Sequence, residues 1–404
     1  MLIALAWKNI WRNKKRSLIV IIALAFGLWG GLFSGAVMMG MGESMVNLSI
    51  ERNLSHIQIH KPFYTRDKDI KAYIPNGPEI VKEIKKIENV KSVSGRTLID
   101  GMAASPASTY GVKIIGVNPD DAMNTTSISK QLIEGSYKEL LKKNRIIIGE
   151  KLAKRLNLKL RSKIVLSFEG IHESIVYNSC RVVGIYKTES SQFDGMNVFV
   201  NQKDLFRVLE SKPIVHEIAI RLNTEKDIPL VLQALKEKYQ NLSVQSWEEI
   251  APEIAFLSDS MENFTYLFVA IILFALVFGI TNTMLMSIID RIREFGVLIA
   301  VGMKRMKIFS MVILETIFLS VTGGLSGIII AAITISYWSK TGIDLSIISA
   351  GLESFGVSTM LYPELPVSMY FVLSVMIIFA ANMAAVYPAV KAIHIKPAQA
   401  IRTY

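Results

Sequence analysis

The hydrophobic residues of this chain are concentrated in four long runs. The runs at 18–41, 264–289 and 367–390 contain no charged residue, and the run at 308–338 contains only Glu315. A bilayer core about 30 Å thick takes about 20 helical residues to cross, so each run is long enough to span it. The pattern predicts a polytopic α-helical membrane protein with transmembrane helices at 17–41, 264–289, 308–338 and 367–390.

A long segment between the first two runs, 42–263, has the composition of a soluble domain. Alternating polar and apolar positions at 56–60 and 113–117 predict strands, whereas apolar spacing at 78–88 and 150–156 predicts helices. This mixture is typical of an α+β domain, and we expect two subdomains. The predicted fold class is therefore four transmembrane helices with a large α+β extracytoplasmic domain between the first and second.

Composition agrees with a membrane protein, since 51% of residues are hydrophobic and the mean hydropathy is +0.38. The single cysteine, Cys180, excludes a disulfide framework within the chain and a cysteine-based metal cluster. The run at 18–41 is longer than the apolar part of a secretory signal peptide. We therefore expect a retained anchor rather than a cleaved signal.

The net charge of +11 lies in three short segments that flank the runs. Residues 1–16 contribute +5, 290–307 contribute +3 and 391–404 contribute +3. Because short basic flanks stay in the cytoplasm, we expect both termini there. Residues 42–263 and the loop 339–366 would then lie on the opposite, extracytoplasmic side of the cell inner membrane. The charge thus indicates topology and membrane lipids as partners, and it does not indicate nucleic acid.

Residues 2–16 have the pattern of an amphipathic helix at the membrane surface. Trp7, Ile10 and Trp11 would form an apolar side, with Lys8 and Arg12 on the polar side. A plain positive flank without a helix is the alternative.

The sequence contains no recognisable catalytic centre. His56 and His60 are four residues apart, but in a strand this spacing separates them by about 13 Å, too far to share a metal ion. Hydrolase-elbow, zinc-protease and P-loop motifs are absent. We expect no catalytic residue, no metal site and no cofactor in this chain, and therefore no enzymatic activity of its own.

Several polar and small residues lie within the predicted transmembrane helices. Glu315 is expected to meet a basic residue of a neighbouring helix, with a proton relay as the alternative. Asn282 and Asn382 are expected to form hydrogen bonds between helices. The small residues expected to allow close helix packing are Gly27, Gly31, Gly35, Gly323, Gly324 and Gly327.

The segment 290–307 predicts a short amphipathic helix, a turn at Gly302 and a basic stretch. The simple interpretation is a charged connector between two transmembrane helices. The more specific one is a docking helix, in which small residues permit close approach and charged residues pair with a partner. The residues expected at this contact are Arg291, Arg293, Glu294, Phe295, Gly296, Ala300 and Gly302.

This segment resembles a motif of the FtsX-like permeases of ABC transporters, a family that includes LolC, LolE and MacB. The motif is an arginine followed by Glu294, Gly296, Ala300 and Gly302 with hydrophobic residues between them. The order of one span, an external domain and three spans is also similar, and is closest to LolC and LolE. A further likeness is the C-terminal pattern Pro388, Ala389, Ala392, Pro397, Ala400, Ile401 and Arg402.

The resemblance implies that two permeases, identical or paralogous, form a dimer with two copies of a separate, LolD-like ATPase, which would hold ATP and magnesium and make this chain a non-enzymatic subunit. The segment 290–307 would be the coupling helix, and hydrolysis would move external porter- and sabre-like regions by mechanotransmission. The first two spans would line the dimer interface, which makes the glycines of 17–41 a candidate surface for partner or lipid chains. The expected cargo is a lipoprotein released toward a periplasmic carrier. MacB-like efflux of drugs, toxins or peptides and FtsX-like signalling to a cell-wall hydrolase are the alternatives.

Overall fold

The structure is a computed structural model that describes residues 2–12 and 14–394. Part of the C-terminal pattern expected from the sequence, Pro397, Ala400, Ile401 and Arg402, lies outside these residues. Two compact units are present. The first, which we call the membrane unit, contains the described parts of 1–43, 258–344 and 360–404. The second, which we call the external unit, contains Ser44–Leu257 and Leu345–Thr359.

Four of the helices are long and apolar enough to cross a membrane, counted over the described residues. This confirms the predicted fold class. The α-helices of the described chain are α1 (Leu2–Arg12), α2 (Lys14–Ser49), α3 (Tyr64–Asp67), α4 (Gly77–Ile84), α5 (Pro119–Thr125), α6 (Glu150–Leu156), α7 (Ser191–Met196), α8 (Gln202–Val208), α9 (Ile228–Lys238), α10 (Trp247–Ile250), α11 (Pro252–Asp290), α12 (Ile292–Ala300), α13 (Arg305–Thr341), α14 (Ser349–Phe355) and α15 (Val367–Ile393).

The four candidate spans are α2, α11, α13 and α15. Helix α11 begins at Pro252, well before the apolar run at 264, because the polar residues between them form helix as readily and Pro252 fits a first helical turn. Hydropathy therefore marked the part of each helix suited to hydrocarbon, and the helix itself is longer.

The external unit is built on one ten-stranded sheet. Its order is β10-β1-β9-β2-β3-β8-β5-β7-β4, and β6 pairs with both β2 and β7. The strands are β1 (Ile57–His60), β2 (Val90–Ala104), β3 (Thr109–Val117), β4 (Leu132–Gly135), β5 (Arg145–Gly149), β6 (Lys163–Glu169), β7 (Ile175–Tyr186), β8 (Asn197–Asn201), β9 (Glu217–Leu222) and β10 (Ser243–Ser246), with a separate pair, β11 (Ile343–Asp344) and β12 (Met360–Leu361), in the membrane unit.

The expected two subdomains share this sheet instead of forming separate ones. Strand β2 has 15 residues, so its first half pairs with β9 and its second half with β6. Strand β3 pairs with residues 96–104 of β2. A strand of ordinary length could not bridge both halves. Each face of the long sheet is covered by apolar side chains and short helices.

A buried ion pair lies where β1, β9 and β2 meet. Arg96 Nη1 lies 2.6 Å from Glu217 Oε1, and His60 Nε2 lies 3.2 Å from the other oxygen. Burial by itself raises the pKa of Glu217, but Arg96 and then His60 outweigh it and lower that pKa to about 2. His56 has a different partner, since its Nδ1 accepts a hydrogen bond from the Leu222 amide. The two histidines therefore share no partner, and they contact opposite ends of β9.

The glycines of α13 and α2 are contact points between helices of this chain. A Cβ atom on Gly323 would lie 3.0 Å from the Ile21 carbonyl oxygen, and one on Gly327 would lie 2.8 Å from that of Ala25. On α2, a Cβ atom would meet Leu276 at Gly27, Val269 and Ile377 at Gly31, and Thr265 at Gly35. The expectation that Gly27, Gly31 and Gly35 face a partner copy or lipid is wrong, because α11 and α15 occupy that side. Gly324 packs beside Ile378 of α15.

We predict that Gly327→Ala destabilises the membrane unit, because the added methyl group collides with backbone; the expected cost is about 1–3 kcal/mol. Gly279→Ala is the matched control, since a Cβ there meets nothing within 4 Å. Alanine should stabilise that helix by about 0.5–1 kcal/mol. Thermal unfolding of the detergent-solubilised chain measures both, and shifts in the same direction would contradict the close packing.

Candidate functional site

A cluster of charged side chains joins α1, α12 and the first part of α13. Arg291, immediately before α12, lies with its Nη1 3.0 Å from both carboxylate oxygens of Glu315 on α13. Both residues are less than a tenth exposed. A buried carboxylate and guanidinium are stable only when paired, so this contact fixes α12 against α13. It supplies the basic partner that the sequence led us to expect for Glu315.

Helix α1 contributes to the same cluster from the other side. Asn9 Nδ2 donates a hydrogen bond of 2.7 Å to Glu315 Oε1. Glu294 Oε2 accepts from Arg291 Nε at 3.1 Å and also from Arg12 Nη2. The contacts therefore form a closed ring, from α1 through α13 and α12 and back to α1.

Opposing effects determine the charge of Glu294. Burial raises its pKa, but hydrogen bonds from Arg12 and Arg291 outweigh burial, so the pKa of Glu294 lies below its ordinary value. Glu294 is therefore ionised at neutral pH and keeps two arginines on one carboxylate.

The inner face of α12 is anchored by packing as well as by charge. Phe295 is 1% exposed, and the Arg291 guanidinium carbon lies 5.0 Å from the centre of its ring. Gly296 is also buried. The expectation that Gly296 offers close approach to another protein is therefore wrong, because this chain already covers it.

The turn after α12 depends on a glycine. Gly302 has a φ of 97°, which disfavours any side chain. Its amide donates to the Ile299 carbonyl and that of Met303 to Leu298, both at 3.0 Å, which is the Schellman pattern of helix ends. The turn reverses the chain into α13 and leaves Val301 at the tip, 83% exposed.

The outer face of α12 is open and partly apolar. Arg293, Val297 and Ala300 are exposed there, next to Val301 and Gly302. Two cavities of about 540 and 740 Å³ share Leu298 and Met303 in their walls. Of the residues expected at a partner contact, the structure thus places Arg291, Phe295 and Gly296 inside and the others outside.

The membrane helices contain further polar contacts. Asn382 Nδ2 lies 3.4 Å from Ser320 Oγ, which joins α15 to α13. Asn282 is exposed, and no side-chain hydrogen bond to it is found among residues 2–12 and 14–394, so its expected role is not met. Its neighbour Thr281 makes the contact instead, donating to the Ala384 carbonyl at 3.1 Å.

Asn9 belongs to the cluster but was not among the residues predicted from the sequence, and Arg12 was predicted only as a positive charge on the polar side of its helix. A weak signal was present, because positions 9 and 12 lie on one side of a helix. Nothing in the sequence pointed from either residue to α12 or α13.

Comparisons with known proteins match both units. The MacB-like periplasmic core domain matches residues 17–238, and the FtsX-like permease C-terminal region matches 266–397, which includes α12 and Glu315. The Bacillus subtilis protein "Uncharacterized ABC transporter permease YvrN" is 22% identical over an alignment of 438 residues, which covers 99% of this chain and 98% of that protein.

Two further comparisons cover parts of the chain. The Escherichia coli protein "Macrolide export ATP-binding/permease protein MacB" is 28% identical over 193 residues, 45% of this chain and 30% of that protein. The crystal structure of the periplasmic region of MacB from Actinobacillus actinomycetemcomitans covers 52% of this chain and 97% of its own, with 12% identity and a TM-score of 0.36.

We predict that Arg291→Met destabilises the membrane unit by about 3–5 kcal/mol, because it leaves Glu315 buried without a cation. Glu315→Leu should cost less, because Arg291 keeps Glu294 as a partner. The double variant should lose much less than the sum, since no orphaned charge remains. Thermal unfolding in detergent gives the three values and hence the coupling between the two sites. Additive losses would show that the pair is not the contact that fixes α12.

Proposed function

We propose that a separate ATPase docks on α12 of this chain, which belongs to the family of ABC transporter permeases with a MacB-like periplasmic core domain. The observation that carries the proposal is the contrast between the two faces of this helix. Its inner face is held by the Arg291–Glu315 pair, and its outer face ends in the exposed Val301. Exposed apolar groups at a rigid tip are typical of protein contacts.

The ring of charges gives docking a mechanical consequence. A push on α12 reaches α13 through Arg291 and Glu315, and reaches α1 through Glu294 and Arg12. Because separating the buried Arg291–Glu315 pair is costly, α12 and α13 move together rather than slide past one another, and Asn9 holds α1 to Glu315. In this proposal α12 faces the cytoplasm, both termini lie on that side of the cell inner membrane, and the external domain moves in response.

A second permease copy, identical or paralogous, would complete the assembly through α11. In the most hydrophobic 18-residue stretch of α11, 17% of the residues are buried within this chain, against 39% in the corresponding stretch of each of α2, α13 and α15. Exposed Phe264, Phe268, Ile271 and Phe274 follow helical spacing on it. This unpartnered face replaces the glycine face as the surface proposed for the dimer.

We predict that Val301→Asp prevents association with the ATPase, because it places a charge at the centre of the contact without changing the fold. Leu230→Asp, at an exposed apolar residue of α9 in the external unit, is the matched control. Co-purification and native mass spectrometry should show two permeases with two ATPases for the wild type and the control, and two permeases alone for Val301→Asp. A Val301→Asp chain that binds the ATPase and stimulates hydrolysis normally would refute docking on α12.

The proposed cargo is a lipoprotein, released from the membrane toward a periplasmic carrier. The support is the order of one span, an external domain and three spans along the chain. Such a machine can act on a lipid-anchored protein from outside without passing it through the bilayer.

Export of a drug, toxin or peptide is the second candidate. It is favoured by the match of residues 17–238 to the MacB-like periplasmic core domain and by the similarity to the Escherichia coli macrolide exporter. In both cases the same coupling at α12 would drive the external domain, so the two candidates differ only in what that domain handles.

Cargo release from spheroplasts that contain the chain and its ATPase separates the two candidates. We expect ATP-dependent appearance of lipoproteins in the soluble fraction when a carrier is added. Membrane retention of all lipoproteins, together with ATP-dependent export of a macrolide, would overturn the lipoprotein assignment and leave the second candidate.

A further inference from the structure

The loop between α13 and α15 does not remain with the membrane helices that it connects. Residues Leu345–Thr359 belong to the same compact unit as Ser44–Leu257, whereas the residues on both sides of them group with the membrane helices. The chain therefore enters the external unit a second time. We call Leu345–Thr359 the strap.

Ionic contacts hold the strap on the external domain. Glu353 of α14 lies with Oε1 3.4 Å from Lys187 Nζ, and its Oε2 accepts a hydrogen bond of 3.2 Å from Ser191 Oγ. Leu352 and Val357 of the strap are buried. We call the contacts of Glu353 with Lys187 and Ser191 the clasp.

The strap also reaches the residues that follow α2. A Cβ atom on Gly356 would lie 3.8 Å from both the Ser190 Cβ and Arg52 Nη1. Arg52 lies in the π-helical turn Ile50–Leu54 after α2, and its guanidinium packs over the ring of Phe193. The strap therefore lies against the entry of the external domain rather than on a remote surface.

The clasp is built so that it can open. Lys187 Nζ also lies 3.7 Å from Glu150, which is itself paired with Lys154 at 2.6 Å. When Glu353 leaves, Lys187 keeps a carboxylate partner and Glu353 becomes solvated, so no charge is left buried and unpaired. Both side chains of the clasp are already partly exposed, which makes their pairing weak and reversible.

We propose that the strap is a releasable segment, docked on the external domain at rest, and that it undocks during each ATP-driven cycle. The docked contact is independent of the proposed function, whereas its release during the cycle rests on it.

Ser190→Cys with Gly356→Cys tests the docked contact directly. The Cβ separation of 3.8 Å suits a disulfide, so mild oxidation of the full chain should crosslink the pair. Ser190→Cys with Gly351→Cys is the matched control on the same loop, since a Cβ at Gly351 meets nothing within 4 Å. Burial raises the pKa of the native Cys180 to about 12, which keeps that thiol from competing. Failure of the first pair to crosslink, or equal crosslinking of the control, overturns the docked strap.

The same variant tests release in the complex with the ATPase. We expect the oxidised pair to lose permease-stimulated ATP hydrolysis to the unstimulated level and to regain it on reduction. Full stimulation of the crosslinked chain overturns release. Absence of stimulation by the wild-type chain would instead count against the proposed function and leave the docked contact standing.

Glu353→Gln tests the clasp without the ATPase and without a side chain at Gly356, whose φ is 71°. Glu353→Gln removes the charge of the clasp. Hydrogen–deuterium exchange of the strap in the full chain should become faster than in the wild type, while exchange in β5 and β7 is unchanged. Identical strap exchange in the two chains overturns the clasp.

Discussion

An ionised carboxylate inside an apolar helix bundle is stable only beside a cation, and Glu315 obtains its cation from Arg291. Because Arg291 immediately precedes α12, satisfying this one charge also fixes the connector against α13. Asn9 and the Glu294–Arg12 pair extend the same network to α1. The connector is consequently fixed on its inner side and exposed on its outer side.

The external domain follows a similar rule at Glu217. Arg96 and His60 compensate its buried charge, and they lie on β2 and β1, on either side of β9. The long β2 then continues into the other half of the sheet, so the domain is one continuous structure rather than two that hinge freely.

Much of this architecture could be predicted from the sequence. The four spans, the α+β domain and a short helix near Glu294 follow from hydropathy, periodicity and charge, each of which is read within a window of a few turns. The glycines show the limit of such reading. Their spacing correctly indicates close packing, but a periodic small face is equally suited to another copy, to lipid or to a helix of the same chain. Gly31 and Gly35 contact α11 and α15, and the exposed surface lies on α11 instead.

The sequence by itself determined which segments suit hydrocarbon, which suit water and where α12 begins and turns at Gly302, because these properties depend on neighbouring residues. Tertiary structure alone decided which side chains the charged groups contact. Asn9 meets Glu315 across 306 positions, and Ser191 meets Glu353 across 162. No local pattern encodes such pairings, since the free energy of a charged side chain is set by the partner and the burial that folding provides. The ring of contacts around Glu315 and the docked strap are therefore properties of the folded chain.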